Sequence, residues 1–324
     1  MARTLVLLLP LIVSCADASG GTLNATTDDS RSIIQIASAS GRNDARIDGE
    51  IADYRVERVT TGEEQILLVT GRQAGEDQCK VIVYSRNGRR LVEYQPPMRT
   101  PFPASPDFAA TRGEFRRERV CPEFDIVRPF RYDGRRFLAF AATGVFAPSV
   151  FVILEATARD RFEERFVYWS YGHVQRFVMD GAHLAITGLN NKLRTRGQYR
   201  LTTAIFRLAD VTRRDRRVDS SSPLSGQGGL AQSPMLYYWS PSNDRGWNFG
   251  IRELSIEDGQ VHVDVASGLR HVLDLVSGTT SVDPSKSYAR EFLGRRRLDP
   301  QLPPLDDHLK ALRADTWLWS LPPS

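Results

Sequence analysis

The chain of 324 residues has only three cysteines, Cys15, Cys79 and Cys121. No Cys-x-x-Cys pair occurs, so the sequence supports neither a zinc knuckle nor a dithiol redox motif. A Walker loop, a G-x-G-x-x-G fingerprint, a Gly-x-Ser-x-Gly elbow and a pair of histidines four residues apart are also missing. We therefore assign no catalytic residue, no metal site and no cofactor. The lack of these motifs favours a protein without catalytic activity, and an enzyme stays open as the alternative.

Lysine is scarce as well. Only Lys80, Lys192, Lys286 and Lys310 stand among 43 basic residues, and the formal net charge is +4. The arginines are spread along the chain and often adjoin acids, as in residues 213–217. Nucleic-acid-binding proteins gather their cations on one face between aromatics, so we expect no nucleic-acid partner. The excess charge favours a weak, salt-sensitive contact with anionic lipid of the cell envelope.

No apolar run reaches the roughly 20 residues of a membrane-spanning helix. Residues 4–13 form a short apolar stretch after Arg3, which is typical of a signal peptide. The run that follows, Ile12-Val13-Ser14-Cys15, resembles the lipobox of bacterial lipoproteins. That resemblance implies a signal peptide over 1–14, lipidation of Cys15 and membrane binding through the lipid. In that family an Asp directly after the lipidated Cys favours retention in the inner membrane. Here that position is Ala16, which implies an outer-membrane lipoprotein that faces the periplasm or the cell surface.

Two other interpretations of the N-terminus stay open. Ala16-Asp17-Ala18 is a cleavage site for simple secretion, and the apolar segment could remain as an uncleaved anchor. In each case the protein is exported; the bacterial cell envelope is what the lipobox resemblance implies. Residues 15–32 are small and polar, which predicts a flexible tether. In an oxidising compartment Cys79 and Cys121 either form a disulfide or stay two separate buried thiols.

The body of the chain reads as many short strands. Residues 81–84 and 91–94 flank Asn87-Gly88, and residues 251–256 and 261–265 flank Asp258-Gly259, so two hairpins are predicted. We predict an all-β, propeller-like domain of five to six blades over 33–283, with a β-sandwich or barrel as the alternative. Residues 212–230 are interpreted as a long surface loop, and 284–324 as a short helical C-terminal tail.

Three segments share a turn glycine, an apolar run and a closing glycine; they span residues 61–71, 133–144 and 180–188. The third, with Tyr168 to His173 before it and Asn190-Asn191 after it, resembles a repeat of the FG-GAP or VCBS-like propellers. That resemblance implies propeller blades. The family's loops bind Ca²⁺ through several aspartates, but here only Asp133 and Asp180 remain, so we interpret each as a turn residue.

Two aromatic groups are candidate ligand-binding platforms: Trp169, Tyr171 and His173, and Tyr237, Tyr238 and Trp239. Exposed ring faces stack on sugars and peptides. Core packing is the other use of the same side chains. We therefore expect a lipid-anchored, non-catalytic binding or assembly protein with a protein or glycan partner. The alternative is an envelope hydrolase acting on glycan or peptide in a propeller channel.

Overall fold

The structure is a computed structural model. It describes the backbone of residues 24–28, 33–38, 41–46, 51–61, 64–73, 79–85, 90–94, 123–143, 149–158, 161–170, 172–195, 198–222, 234–241 and 250–320. Side chains are described over 128–141, 149–157, 162–170, 174–189, 201–222, 234–241, 250–316, 318 and 320. The signal peptide, Cys15, Cys121, Tyr171 and the side chains of Cys79 and His173 lie outside these ranges.

The chain divides into two compact units, one of Met1–Glu76 with Lys80–Tyr94 and one of Asp77–Cys79 with Gln95–Ser324. The first unit holds sheet I, with strand order β1-β2-β3, and sheet II, with strand order β4-β5-β6-β7. Their strands are β1 Asn24–Asp28, β2 Ile33–Ser38, β3 Gly41–Arg46, β4 Ile51–Thr61, β5 Glu64–Gln73, β6 Cys79–Ser85 and β7 Arg90–Tyr94. Strand β1 lies inside the predicted tether and pairs with β2.

The second unit holds three sheets and three helices. Sheet III contains β8 Glu123–Tyr132, β9 Arg135–Thr143, β10 Ser149–Ala158, β11 Arg161–Ser170 and β15 Val218–Ser221. Sheet IV contains β12 Gly172–Met179, β13 His183–Thr195, β14 Gln198–Arg207, β16 Met235–Ser240 and β21 Trp317–Ser320. Sheet V contains β17 Ile251–Glu257, β18 Gln260–Val265, β19 Leu269–Asp274 and β20 Thr280–Pro284. The helices are α1 Leu208–Val211, α2 Lys286–Leu298 and α3 Leu305–Ala314.

Sheets II, III and V each contain four strands that follow one another in the chain, and sheet IV contains β12, β13, β14 and β16, with β15 of sheet III between the last two. In sheets III, IV and V every step of the meander is antiparallel. A succession of four-stranded meanders is how β-propeller blades are made. The predicted class, all-β and propeller-like with a helical C-terminal tail, is therefore confirmed. So are both predicted hairpins, since β6 pairs with β7 and β17 with β18.

Sheet IV is buried on both faces. On β13, Leu184 and Ile186 belong to a core shared with sheet III, while Ala185 between them belongs to a core shared with sheet V. Neighbouring strand residues point to opposite faces, so a sheet between two cores needs consecutive apolar residues. Phe206 on β14 links sheets III and IV, because its ring meets that of Phe166 edge-on at 4.9 Å between centroids.

The segment predicted as a surface loop over 212–230 contains strand β15, which pairs in parallel with β11. Val218, Ser220 and Ser222 are buried there. The Ser222 N–H donates to the Trp169 carbonyl at 2.8 Å, and the Ser222 and Tyr168 hydroxyls are 2.8 Å apart. Pairing with β11, at the edge of sheet III, stabilises a sequence that is too polar to be recognised as a strand. Residues 223–230 lie outside the described part of the chain.

The C-terminal helices lie where the sequence predicts them. Helix α2 begins after Ser285, whose hydroxyl accepts the Tyr288 N–H at 3.1 Å as an N-cap. Gly268, at φ 91°, leaves room for this cap, since a Cβ there would lie 2.5 Å from the Ser285 hydroxyl. After α3, β21 pairs with β16 as the fifth strand of sheet IV.

His271 on β19 is a core histidine. It is 1% exposed, lies opposite Val263 and Val282 on the adjacent strands, and its Nδ1 has no hydrogen-bond partner in the described structure. Burial lowers the pKa of His271 to about 4, although the nearby Asp264 carboxylate opposes the change. The side chain therefore folds in its neutral form.

This burial predicts a pH-dependent stability. Between the unfolded pKa of 6.5 and the folded value of about 4, the unfolded chain binds the extra proton. The free energy of unfolding should therefore fall as pH falls through this window, by roughly 3 kcal/mol from this residue. Urea unfolding of wild type and His271→Leu at several pH values across the window measures how the free energy of unfolding changes with pH. This contribution to the pH dependence should be absent in His271→Leu. It should persist in His262→Gln, which alters a half-buried histidine on the neighbouring strand. An equal pH dependence of the free energy of unfolding in wild type and His271→Leu would contradict the prediction.

Candidate functional site

The predicted aromatic platforms do not form one surface among the described side chains. Trp169, Tyr238 and Trp239 are at most 3% exposed. Tyr238 belongs to the core between sheets III and IV, and Trp239 to the core between sheets IV and V. Tyr237 is half-buried, and its hydroxyl donates to the Leu275 carbonyl at 3.0 Å. These positions match the core-packing use of the rings.

The two aspartates of the repeat-like segments are turn residues. Asp133 and Gly134 have φ angles of 49° and 67°, the positive pair of a two-residue hairpin turn. The Asp180 carboxylate accepts the N–H groups of Ala182 and His183 at 2.8 and 2.6 Å. Burial opposes ionisation of Asp180, but these two donors outweigh it and hold its pKa below the ordinary value. The carboxylate is therefore used by its own backbone.

A polar cleft of about 420 Å³ lies at the end of sheet III where β9 begins. We call it the arginine cleft. Four of its lining residues are arginines and one is a carboxylate; the full lining is Gly134, Arg135, Arg136, Glu155, Ala156, Thr157, Arg165 and Arg214. The lining side chains thus carry three more positive than negative charges. Such a surface attracts carboxylate and phosphate groups.

Two β-bulges shape the cleft. Phe166 lies opposite Ile153 and Glu164 lies opposite Leu154, so Arg165 is an extra residue on β11. A second register shift leaves Thr157 as the extra residue on β10. A bulge turns a side chain away from its place in the regular ladder. Both extra residues line the cleft, which shows how the local register places Arg165 beside Glu155.

Glu155 is the buried centre of the charges in the cleft, at 5% exposure. Its Oε2 accepts from Arg165 Nε at 2.6 Å and lies 3.4 Å from Arg135 Nη1. Arg165 also donates to Glu163 at 2.9 Å. A carboxylate held by two guanidinium groups acts as a support that positions them, because its own lone pairs are already engaged.

Arg135 joins the cleft to the segment after α1. Its Nη1 donates to the Thr212 carbonyl at 2.8 Å, and its guanidinium lies 5.0 Å from the centre of the Phe137 ring. Its Nε is buried without a hydrogen-bond partner, 4.0 Å from an oxygen of Asp133. Arg136 and Arg214 are the exposed members at the mouth. The Arg214 guanidinium donates to no side chain or carbonyl in the described structure.

Sequence reasoning did not single out the residues of this cleft. The available signal was Glu155 directly after the apolar run 150–154, and Arg165 directly before the apolar run 166–169. A charge beside a buried strand is common at strand ends. A bulge places Arg165 beside Glu155, whereas Arg135 reaches Glu155 across the regular β9–β10 ladder; neither a bulge nor a strand register can be recognised in a single sequence.

The described residues contain neither a membrane-spanning helix nor a metal-binding cluster. No helix in that part of the chain is both long and apolar enough to cross a membrane. Likewise, no group of three or more His, Cys, Asp or Glu side chains with the spacing of a metal site occurs within it.

Comparison with known proteins shows only distant similarity. No protein-family model matches the chain, and no curated protein does. The chain is similar to BamB from Moraxella catarrhalis, at 10% identity and a TM-score of 0.36, over 82% of this chain and 74% of that one. It is also similar to a GH43_1 enzyme from Xanthomonas citri, at 10% identity and a TM-score of 0.33, over 72% and 73% of the two chains.

A third similar structure is the Swd1 beta-propeller domain from Myceliophteria thermophila, at 10% identity and a TM-score of 0.30, over 82% of this chain and 86% of that one. All three TM-scores are below 0.5, so these similarities carry no argument. The propeller-like class rests on the meanders themselves.

The position of Glu155 predicts that its charge matters for stability. Glu155→Gln leaves Arg135 and Arg165 without their shared carboxylate, and should lower the free energy of unfolding by about 2–3 kcal/mol. Urea unfolding measures the change. Asp215→Asn is the matched control, because it removes an exposed carboxylate that pairs with Arg213 at 2.7 Å and should leave the midpoint unchanged. Equal midpoints for wild type and Glu155→Gln would show that Glu155 is not a structural support.

Proposed function

We propose that this protein is a lipid-anchored, non-catalytic binding or assembly protein of the bacterial cell envelope, and that the arginine cleft takes an anionic group of its partner. The observation that carries the proposal is the excess of guanidinium groups in the cleft around one engaged carboxylate. Arginine offers planar, paired donors that fit a carboxylate or phosphate. Aspartyl or glutamyl side chains of a protein and acidic groups of a glycan both supply such oxygens.

The division of roles among the arginines supports binding. Arg165 and Arg135 are about 90% buried and held by Glu155, Glu163 and the Thr212 carbonyl. Their guanidinium groups are therefore positive charges that are held in place at the base of the cleft. Arg136 and Arg214 also line the cleft and are more exposed than these two, so an entering anion can contact them as well. A ligand group entering the cleft would therefore meet charge that is already positioned, which reduces the ordering cost of binding.

The envelope location rests on the N-terminal segment. The lipobox-like run ending at Cys15 supports lipid anchoring. Ala16 supports sorting to the outer membrane, where the protein would face the periplasm or the cell surface. The FG-GAP-like repeat remains a prediction, as do the two states of Cys79 and Cys121, a disulfide or two separate buried thiols. The alternative function, a hydrolase acting on glycan or peptide in a propeller channel, also remains a prediction.

The cleft proposal predicts saturable binding of small anions. Pyrophosphate and citrate serve as probes in calorimetric titrations, since the pair separates a preference for phosphate from one for carboxylate. Arg136→Gln with Arg214→Gln should weaken binding of the preferred probe at least about tenfold, which corresponds to about 1.4 kcal/mol. Both side chains are exposed, so the fold should be retained, and circular dichroism checks this.

The control for this experiment is Arg207→Gln with Arg252→Gln, which removes the same charge from exposed positions outside the cleft. Binding by this variant should match that of wild type. Equal loss in both double variants would mean that net charge alone attracts the probes. Absence of saturable binding by wild type would remove the support for the cleft as a site.

The anchoring proposal predicts the behaviour of a single variant. Cys15→Ala removes the only thiol that the lipobox resemblance assigns to lipid, so the protein should leave the membrane fraction and lose its incorporation of labelled fatty acid. Two or more acyl chains suffice for stable anchoring. Cys79→Ala is the control and should stay membrane-bound. Lipid labelling that persists in Cys15→Ala would refute the assignment.

A further inference from the structure

We propose that the outward face of helix α2 is a second membrane-contact surface, which rests on an anionic lipid bilayer. The surface consists of Lys286, Arg290, Leu293 and Arg297. Leu298, the last residue of the helix, flanks this surface, about 100° around the helix from Arg297. It is separate from the arginine cleft, and it does not depend on lipidation of Cys15.

The spacing of these residues places them on one side of the helix. Lys286, Arg290, Leu293 and Arg297 follow one another at steps of four, three and four residues. At about 100° per residue they fall within an arc of about 60°, over a length of about 16 Å. Tyr288 and Phe292, the buried residues of the helix, point to the opposite side. The stripe is therefore turned directly away from the protein core.

The positive charges of the stripe are not neutralised by ion pairs within the described structure. None of the ion pairs in the described structure involves Lys286, Arg290 or Arg297, and all three side chains are exposed. The one acidic residue within the helix, Glu291, lies about 100° around the helix from Arg290. Three cations on one exposed face thus have no acidic partner on that face.

The other two cations of α2 contact other groups of the protein itself, unlike the three cations of the stripe. The Arg295 guanidinium lies 5.7 Å from the centre of the Phe292 ring. Arg296 Nε donates to the Leu302 carbonyl at 3.2 Å and so holds the connection to α3. These contacts account for two of the five basic residues of the helix. The remaining three are the stripe.

The exposed leucines indicate a lipid surface. Leu293 is 45% exposed in the middle of the stripe, and Leu298 is 89% exposed at the end of the helix. They are two of the three large apolar side chains that the described structure leaves exposed. Cations that pair with anionic headgroups, with an exposed leucine between them that can enter the headgroup region, form a basic surface suited to an anionic bilayer. An anionic bilayer complements the three cations along the whole length of the stripe.

Packing fixes the direction of the surface. The Tyr288 hydroxyl and His308 Nε2 are 2.8 Å apart, and the rings of Phe292 and His308 stack at 4.5 Å between centroids. These contacts join α2 to α3 through their inner sides. The helix therefore cannot roll to hide the stripe without breaking its own core contacts.

The test compares binding of the full chain to two kinds of vesicle. One kind is phosphatidylcholine alone, and the other contains about one third phosphatidylglycerol. The ratio of the two partition coefficients isolates the electrostatic contact, since an N-terminal lipid or apolar segment inserts into both. Lys286→Gln, Arg290→Gln and Arg297→Gln together should lower this ratio about 100-fold, at about 1 kcal/mol per cation. About 1 M salt should lower the wild-type ratio in the same way.

The matched control is Arg207→Gln, Arg216→Gln and Arg252→Gln together, which removes three exposed positive charges outside α2. It should keep at least a third of the wild-type ratio. A wild-type ratio near one, or an equal loss in the two triple variants, would overturn the proposal. Titration against pyrophosphate distinguishes the two sites, because the α2 variant should still bind the probe in the arginine cleft.

The leucines separate a lipid surface from a protein partner. Leu293→Ser with Leu298→Ser should weaken binding to the anionic vesicles about tenfold, since apolar burial is part of interfacial binding. Unchanged binding by this variant, with soluble polyglutamate bound as tightly as vesicles of equal charge, would identify a docking surface for an acidic polypeptide. That result would refute the lipid proposal.

Discussion

The burial of both faces of sheet IV is the constraint on which the second unit depends. Leu184 and Ile186 pack towards sheet III, while Ala185 packs towards sheet V and the helices. A sheet in this position cannot alternate between apolar and polar residues, because neither face meets water. Its neighbours must in turn supply apolar inner faces. The short apolar runs along the chain and the docked C-terminal helices follow from this single demand.

The sequence predicted those features that depend on local chemistry. The Asp258-Gly259 turn, the helices around 284–312 and the β-rich class all arise from residues close together in the chain. It did not predict β15, because Val218–Ser221 is mostly polar and becomes a strand only through pairing with β11. It also did not predict the arginine cleft, whose charges meet through the pairing of β9, β10 and β11 and through the bulge at Arg165.

Charge in this protein is organised by position more than by amount. The net charge of +4 is small, but the structure brings cations together at two places. In the cleft, Glu155 gathers Arg135 and Arg165 into a fixed arrangement. On α2, by contrast, the cations project from a regular helix. The first arrangement suits a single anionic group and the second suits an extended surface, so the same residue type serves two kinds of recognition.

The pairing of β21 with β16 has a consequence for the order of folding. Trp317–Ser320 comes more than seventy residues after Ser240, the end of the strand that it covers. During vectorial synthesis or export, the outer edge of β16 is therefore left without its neighbour while all of sheet V and both long helices emerge. An open strand edge is a template for pairing with other chains. A chaperone that covers this edge would guard the interval in which the protein is most exposed to self-association.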